Sequence, residues 1–305
     1  MAEALGWAIM AEVPLVVLNI QRGGPSTGLP TQVEQSDLNL ALYGSHGDAP
    51  RVVLAPVDVE DCFYTAIEAV NIARKYNVPV FVLSDQAIST RIEAFGQPDL
   101  QKVCQDITPD LSPVPDYKPY DLSAPDGVVQ RVVPGTPILS GKYPIAGGLE
   151  HDELGHPSAS PKYHMLMTAK RRRKLQALAE TLPAPKVYGP PEGNLLLVGW
   201  GSTCGPLREV VDRARAEGLS ISSLQVKHLN PLPPGLENVF SGYNLVRVVE
   251  LNDEGLYGYG QLAGVLRARF CNPNIAGINK TDGLTWKVKD ILDRARQELA
   301  TLNKK

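Results

Sequence analysis

Cysteine is scarce in this 305-residue chain, and its four copies, Cys62, Cys104, Cys204 and Cys271, lie far apart without a CxxC pair. That spacing excludes an iron–sulfur or zinc site built on local cysteine pairs and gives no disulfide framework. Long apolar runs are missing too: none reaches the roughly 20 residues of a membrane span. No basic segment followed by an apolar stretch opens the chain, so a cytoplasmic protein with no membrane contact is expected. A surplus of positive charge is also absent. The net charge of −3 gives no reason to expect nucleic acid as a partner. What remains is the composition of an ordinary globular protein, 43% hydrophobic and 21% charged, long enough for about two domains and without an internal repeat.

The chemistry-bearing stretch is Asn19-Ile-Gln-Arg-Gly-Gly-Pro-Ser-Thr-Gly-Leu-Pro-Thr31, with His46-Gly-Asp48 beyond it. It follows Pro14-Leu-Val-Val-Leu-Asn-Ile20, which reads as a buried strand, and loops leaving the carboxyl ends of such strands carry the chemistry of α/β proteins. Arg22 could grip a carboxylate through two parallel hydrogen bonds, with Ser26, Thr27 and Thr31 fixing its orientation. Gly23, Gly24 and Gly28 would let backbone N–H groups approach a ligand, and His46 and Asp48 form the other ionisable pair placed nearby. A polar turn between two strands has the same composition.

Residues 2–10 read as a helix without an N-cap, and 51–55 as a second buried strand. Asp58 is the expected N-cap of a helix burying Val59, Cys62, Phe63, Ile67 and Val70 and ending near Asn77, before a third strand at 80–83. That order implies parallel strands joined by a right-handed crossover. Nine prolines between Pro98 and Pro144 then mark a long irregular connection that lies across a surface rather than disordered, since it carries Val128, Val129, Val132, Val133, Ile138 and Leu139. A helix over 161–181 carries Lys170-Arg-Arg-Arg-Lys174, which could grip phosphates but reads better as a solvated face. Residues 194–299 form a second α/β unit with strands at 195–198, 221–226 and 245–250 and helices beginning at Pro206, Gly260 and about Val288.

Two other constellations are weaker. Gly199-Trp-Gly-Ser-Thr-Cys-Gly205 has GxGxxxG spacing instead of the dinucleotide GxGxxG, leaving a coenzyme A or nucleotide role as an alternative to a tight turn. His151-Asp-Glu-Leu-Gly-His156 places its histidines five apart with a glycine between, which fits a hydrogen-bonded loop better than a metal site.

Taken together, the chain resembles the α subunit of the 2-oxoacid:ferredoxin oxidoreductases, most closely the 2-oxoglutarate type. The resemblance rests on Gln21–Thr31, Glu34-Gln-Ser-Asp37, Tyr43-Gly-Ser-His-Gly-Asp48, Gly148-Leu-Glu-His-Asp-Glu153, Gly201-Ser-Thr203, Glu250-Leu-Asn252 and Gly260-Gln-Leu262. It implies an α/β fold. Residues 1–95 would be the C-terminal part of an incomplete pyrimidine-type thiamine-diphosphate-binding parallel sheet domain, 96–193 a proline-rich connection with the basic helix, and 194–300 a transketolase C-terminal-like domain. It further implies oxidative decarboxylation of a 2-oxoacid with coenzyme A and ferredoxin. Thiamine diphosphate would be shared with a β subunit, and magnesium and the iron–sulfur cluster would sit in that partner. Arg22 and Thr31 match the family's loop residues at substrate and cofactor. The family's preceding Tyr-Pro-Ile-Thr-Pro motif and activating glutamate have no counterpart; Tyr143-Pro-Ile-Ala146 follows the loop and lacks the threonine. The expectation is therefore a chain that begins in mid-domain, inactive alone, partnered by a β subunit and by a γ subunit or a separate N-terminal segment.

Overall fold

The computed structural model describes residues 1–104, 108 and 110–302; Pro109 of the proline-rich stretch lies outside the described residues. In chain order it has α1 (Ala2–Met10), β1 (Leu15–Gln21), α2 (Leu38–Tyr43), β2 (Val52–Leu54), α3 (Val59–Tyr76), β3 (Pro79–Asp85), α4 (Gln86–Ser89) and α5 (Leu100–Val103). The long connection leads to α6 (Pro161–Thr181), then β4 (Val187–Tyr188), β5 (Gly193–Gly199), α7 (Cys204–Ala216), β6 (Ile221–Gln225) and β7 (His228–Asn230). The chain ends with α8 (Leu236–Ser241), β8 (Tyr243–Glu250), α9 (Gln261–Phe270), β9 (Ile275–Asn279) and α10 (Val288–Leu302).

Two sheets result. The first has the order β1-β3-β2-β7, with β1, β3 and β2 parallel and β7 antiparallel. The second has the order β4-β6-β5-β8-β9 and is parallel apart from β4. β7 comes from the second half of the sequence, so the two halves share the first sheet. Central strands such as β3 are buried along their whole length, which is what uninterrupted apolar runs covered on both faces require. One apolar cluster runs from Val53, Phe81 and Leu83 of the first sheet, past Leu38, Phe240 and Leu262 of the helices between, to Leu196, Val198 and Val246 of the second. α3 and α6 cover the far face of the first sheet, and α7 and α10 that of the second.

Asp58 caps α3 by accepting from the Asp61 N–H at 2.8 Å, and Asn77 ends the helix in the left-handed conformation at φ +49°. The buried face of α3 differs from the sequence expectation. Thr65, Ala69, Ile72, Ala73 and Tyr76 face inward, while Cys62, Phe63 and Ile67 are half-buried and Val70 is exposed. Small residues let the helix lie close on the sheet, which turns the bulkier side chains outward.

β1 is likewise not the buried strand its composition suggests. It is the edge of its sheet, with Leu18 64% and Ile20 48% exposed, and among the described residues no further strand pairs with its outer side.

The basic run on α6 is not a solvated face either. Lys170 and Lys174 are fully buried and both donate to the Glu12 carboxylate, and Arg171 donates to Glu150 at 2.5 Å. Arg173 reaches the carbonyls of Leu122 and Ala124. A buried carboxylate shared by two ammonium groups fixes α6 against the end of α1. The connection does lie across a surface. It is held to the first unit by Asn77 Nδ2 on the Val129 carbonyl, Arg131 on the Glu12 carbonyl, and the His151 ring between the Met10 and Asp152 carbonyls. His156 pairs with Asp152, so this stretch is a hydrogen-bonded loop as expected.

Candidate functional site

Where β1 ends, the chain folds into a loop closed by its own backbone. The Leu29 N–H donates to the Gly23 carbonyl at 2.8 Å and the Gly23 N–H to the Gln32 carbonyl at 3.1 Å. Gly28 sits at φ +44°, and a Cβ there would lie 2.1 Å from the Gly23 oxygen, so only glycine permits this closure. At the stem, Gln21 Oε1 accepts from the Asp37 N–H at 3.1 Å and Asn19 Nδ2 donates to Asp37 at 3.0 Å. The loop presents Arg22, Ser26, Thr27 and Thr31 to solvent. Among the described residues Arg22 makes no hydrogen bond or ion pair, so its five donors stay available to an anion.

The second unit supplies the other wall. A groove of about 1340 Å³ runs between Gly24, Ser26 and Leu29 of the loop and the segment Asp253–Gln261 with α9. Gln261 clamps the two sides together, accepting from the Asn39 N–H at 2.8 Å and donating to the Ser36 carbonyl at 2.7 Å. Of the residues expected at the site, Gly24 and Ser26 line this groove. Arg22, Gly23, Thr27, Gly28 and Thr31 belong to the same loop outside its lining. His46 and Asp48 lie on the α2–β2 connection, where Asp48 faces a different recess.

Behind the loop lies a buried polar hub that residue-type reasoning did not assign. Gln35 Nε2 donates to Asp85 Oδ2 at 3.2 Å and to the Trp200 carbonyl at 2.7 Å, while its Oε1 accepts from the Leu251 N–H at 3.1 Å. Asp85, at the end of β3, also accepts from the backbone N–H groups of Ser202, Ala87 and Ile88. Burial pushes its carboxyl above the usual range, and these hydrogen bonds oppose that. Glu250, fully buried, accepts from Trp200 Nε1 and from the Leu262 and Ala263 N–H groups at the start of α9; burial raises it as well. The sequence signal was present in Glu34-Gln-Ser-Asp37, Glu250-Leu-Asn252 and Gly260-Gln-Leu262, but it named no role for them.

The glycine-rich turn before α7 is already occupied. The Ser202 N–H points at Asp85 at 2.9 Å, and the Trp200 N–H at Thr203 Oγ1 at 3.0 Å. A carboxylate of this chain therefore holds a position where a phosphate would have to bind. No helix among the described residues is long and apolar enough to cross a membrane.

Comparison with known proteins agrees with this architecture. Residues 1–170 match the family described as pyruvate flavodoxin/ferredoxin oxidoreductase, thiamine diphosphate-binding, and residues 194–291 match pyruvate:ferredoxin oxidoreductase core domain II. The 2-oxoglutarate oxidoreductase subunit KorA of Mycobacterium tuberculosis is 39% identical over 98% of this chain and 44% of its own length. The 2-oxoglutarate synthase subunit KorA of Methanothermobacter thermautotrophicus is 34% identical over 76% of this chain and 61% of its own. Among solved structures, 2-oxoglutarate:ferredoxin oxidoreductase from Magnetococcus marinus, with 2-oxoglutarate, coenzyme A and succinyl-CoA bound, superposes with a TM-score of 0.88. It is 36% identical over 98% of this chain and 51% of its own. The chain thus spans about half the length, or less, of the M. tuberculosis and M. marinus relatives. With both units matched in order and the specific loop motif in place, the chain belongs to the α subunits of the 2-oxoacid:ferredoxin oxidoreductases.

Proposed function

We propose that this chain supplies the 2-oxoacid-binding face of a thiamine-dependent 2-oxoacid:ferredoxin oxidoreductase, with 2-oxoglutarate as the favoured substrate. The observation that carries the reading is Arg22, an exposed and unpaired guanidinium on a glycine-closed loop at the end of a parallel strand. A substrate carboxylate held bidentately there gains a few kcal/mol, on the order of 2–3, from charge-assisted hydrogen bonds. Ser26, Thr27 and Thr31 orient it. Gly24 in the groove lining, with Gly23 and Gly28 beside it, allows close backbone approach to the cofactor, and His46 stands towards the cofactor side, whereas Asp48 faces a different recess and is left out of this reading. The groove's size fits a group as large as thiamine diphosphate, which supplies, when bound, the carbanion-stabilising chemistry of decarboxylation.

A β subunit holds the magnesium ion and the iron–sulfur cluster in this reading, and coenzyme A and ferredoxin meet the assembled enzyme. The division into 1–95, 96–193 and 194–300 is retained as the working domain map. The bare edge of β1 supports an additional segment of the family polypeptide, joined or separate, packing on Leu18 and Ile20. The same edge favours a second reading, in which the chain is an assembly module whose loop no longer meets substrate.

Reconstitution with the remaining α-subunit segment and a β subunit separates the two. Reduction of a viologen dye dependent on 2-oxoglutarate and coenzyme A, falling about 100-fold in kcat/KM in Arg22→Ala, is the expected result. Full activity in Arg22→Ala would remove Arg22 from the site and leave the assembly reading.

A further inference from the structure

One cation of the basic run on α6 is unaccounted for. Lys170, Arg171, Arg173 and Lys174 each have a partner, whereas Arg172 is exposed and makes no hydrogen bond or ion pair among the described residues. One turn earlier on the same face stands Thr168. Both line a recess of about 470 Å³ between α6 and the α2–β2 connection, and Arg51 lines it too.

Arg51 is the more unusual of the two. It is 1% exposed, yet among the described residues no carboxylate pairs with it. Its Nε donates to the Ala49 carbonyl at 3.2 Å, its guanidinium stacks over the Phe81 ring at 5.7 Å, and Nη1 is buried without a partner. An unpaired buried guanidinium is costly, and its fixed, stacked plane is what anion-binding arginines use. Asp48 shares the recess but forms an ion pair with neither arginine among the described residues. The charge lining the cavity is thus two positive against one negative, with the Thr168 hydroxyl as a further polar group.

We propose that this recess is a binding site for a small phosphomonoester, its phosphoryl oxygens shared by Arg51, Arg172 and Thr168. Two guanidinium groups and a hydroxyl suit three acceptor oxygens and nearly two charges, where a carboxylate would be satisfied by one arginine fork. The volume exceeds that of bare phosphate, and Leu42, Tyr43 and Pro50 give an apolar wall for a compact organic body. The site does not depend on the oxidoreductase reading. It is separate from the groove at Gly24 and Ser26, with which it shares only Tyr43.

Titration calorimetry and ³¹P NMR on the 305-residue chain at low salt test it, with inorganic phosphate, phenyl phosphate and succinate as probes. Phenyl phosphate is expected to bind saturably and more tightly than phosphate, and succinate at least tenfold more weakly. Arg172→Gln, an exposed substitution, should weaken phenyl phosphate at least tenfold, while Asp48→Asn should tighten it severalfold. Arg51→Lys should weaken it as Arg172→Gln does; if that buried variant fails to fold, Arg172→Gln decides alone. Absence of saturable binding, equal binding of succinate, or unchanged affinity in Arg172→Gln overturns the proposal.

Discussion

The Gln35 side-chain amide stands 3.2 Å from the Asp85 carboxylate and 2.7 Å from the Trp200 carbonyl, joining the segment after the Arg22 loop to the end of β3 and to the turn before α7. Every polar group of Gln35 is used, since its backbone also exchanges hydrogen bonds with Leu251 and Asn252. Gln35→Leu leaves several buried partners unsatisfied. A loss of about 3 kcal/mol in urea unfolding at neutral pH is expected.

Gly201 meets the same hub from the other side. It has φ +59°, and a Cβ would come 2.5 Å from Gln35 Nε2 and 2.7 Å from Asp85 Oδ2. Gly201→Ala should therefore cost about 2–3 kcal/mol, more than backbone strain alone would predict. Its effect should be less than additive with Gln35→Leu, as a double-mutant cycle would show.

The acid stability of the chain should carry the mark of Glu68. Burial works against its ionisation, but the hydrogen bond from His228 at 2.7 Å and the charge of Lys227 outweigh it and pull the carboxyl down to about 2. A carboxyl depressed in the folded state stabilises above its unfolded value near 4.5, and that stability is lost as pH falls towards 2. Glu68→Gln should lose about 1–2 kcal/mol at pH 7, allowing for its partial exposure, and flatten the decline between pH 4.5 and 2. Denaturant melts at pH 3 and pH 7 measure both effects.

Glu12 neutralises two buried lysines at once. Glu12→Gln strands both ammonium groups away from water and is expected to cost about 3–5 kcal/mol. A variant that stays within about 1 kcal/mol of the parent would mean that water reaches Lys170 and Lys174.

Leu18→Lys tests the exposed edge of β1. Because the side chain is 64% exposed, stability should change by less than about 0.5 kcal/mol. If a further α-subunit segment packs on this strand, as proposed above, its association, followed by size-exclusion chromatography, should be lost.

Local signals were legible in the residues themselves: the Asp58 cap, the Asn77 stop, the strand runs, and the glycine-closed loop with its arginine. The misreadings share one physical cause, that pattern states what a segment is made of and not what it is set against. Lys170–Lys174 looks solvated until Glu12, 158 residues earlier than Lys170, is folded onto it. Leu18 and Ile20 look like core until β1 proves to be an edge. Gln35 had no periodic signature, because its partners at Trp200 and Leu251 lie 165 and 216 residues away.

The antiparallel pairing of β7 with β2 places Asn230 opposite Val53 and His228 opposite Leu54, and Lys227 next to β7 is gripped by Asp61 of α3. The two halves are thereby stitched by a shared sheet as well as by the peptide link between them. A protease cut within the exposed connection around residues 139–143 should yield two fragments that travel as one particle in native buffer and part only in denaturant. Such a molecule could have its covalent order interrupted while its working surface stays assembled.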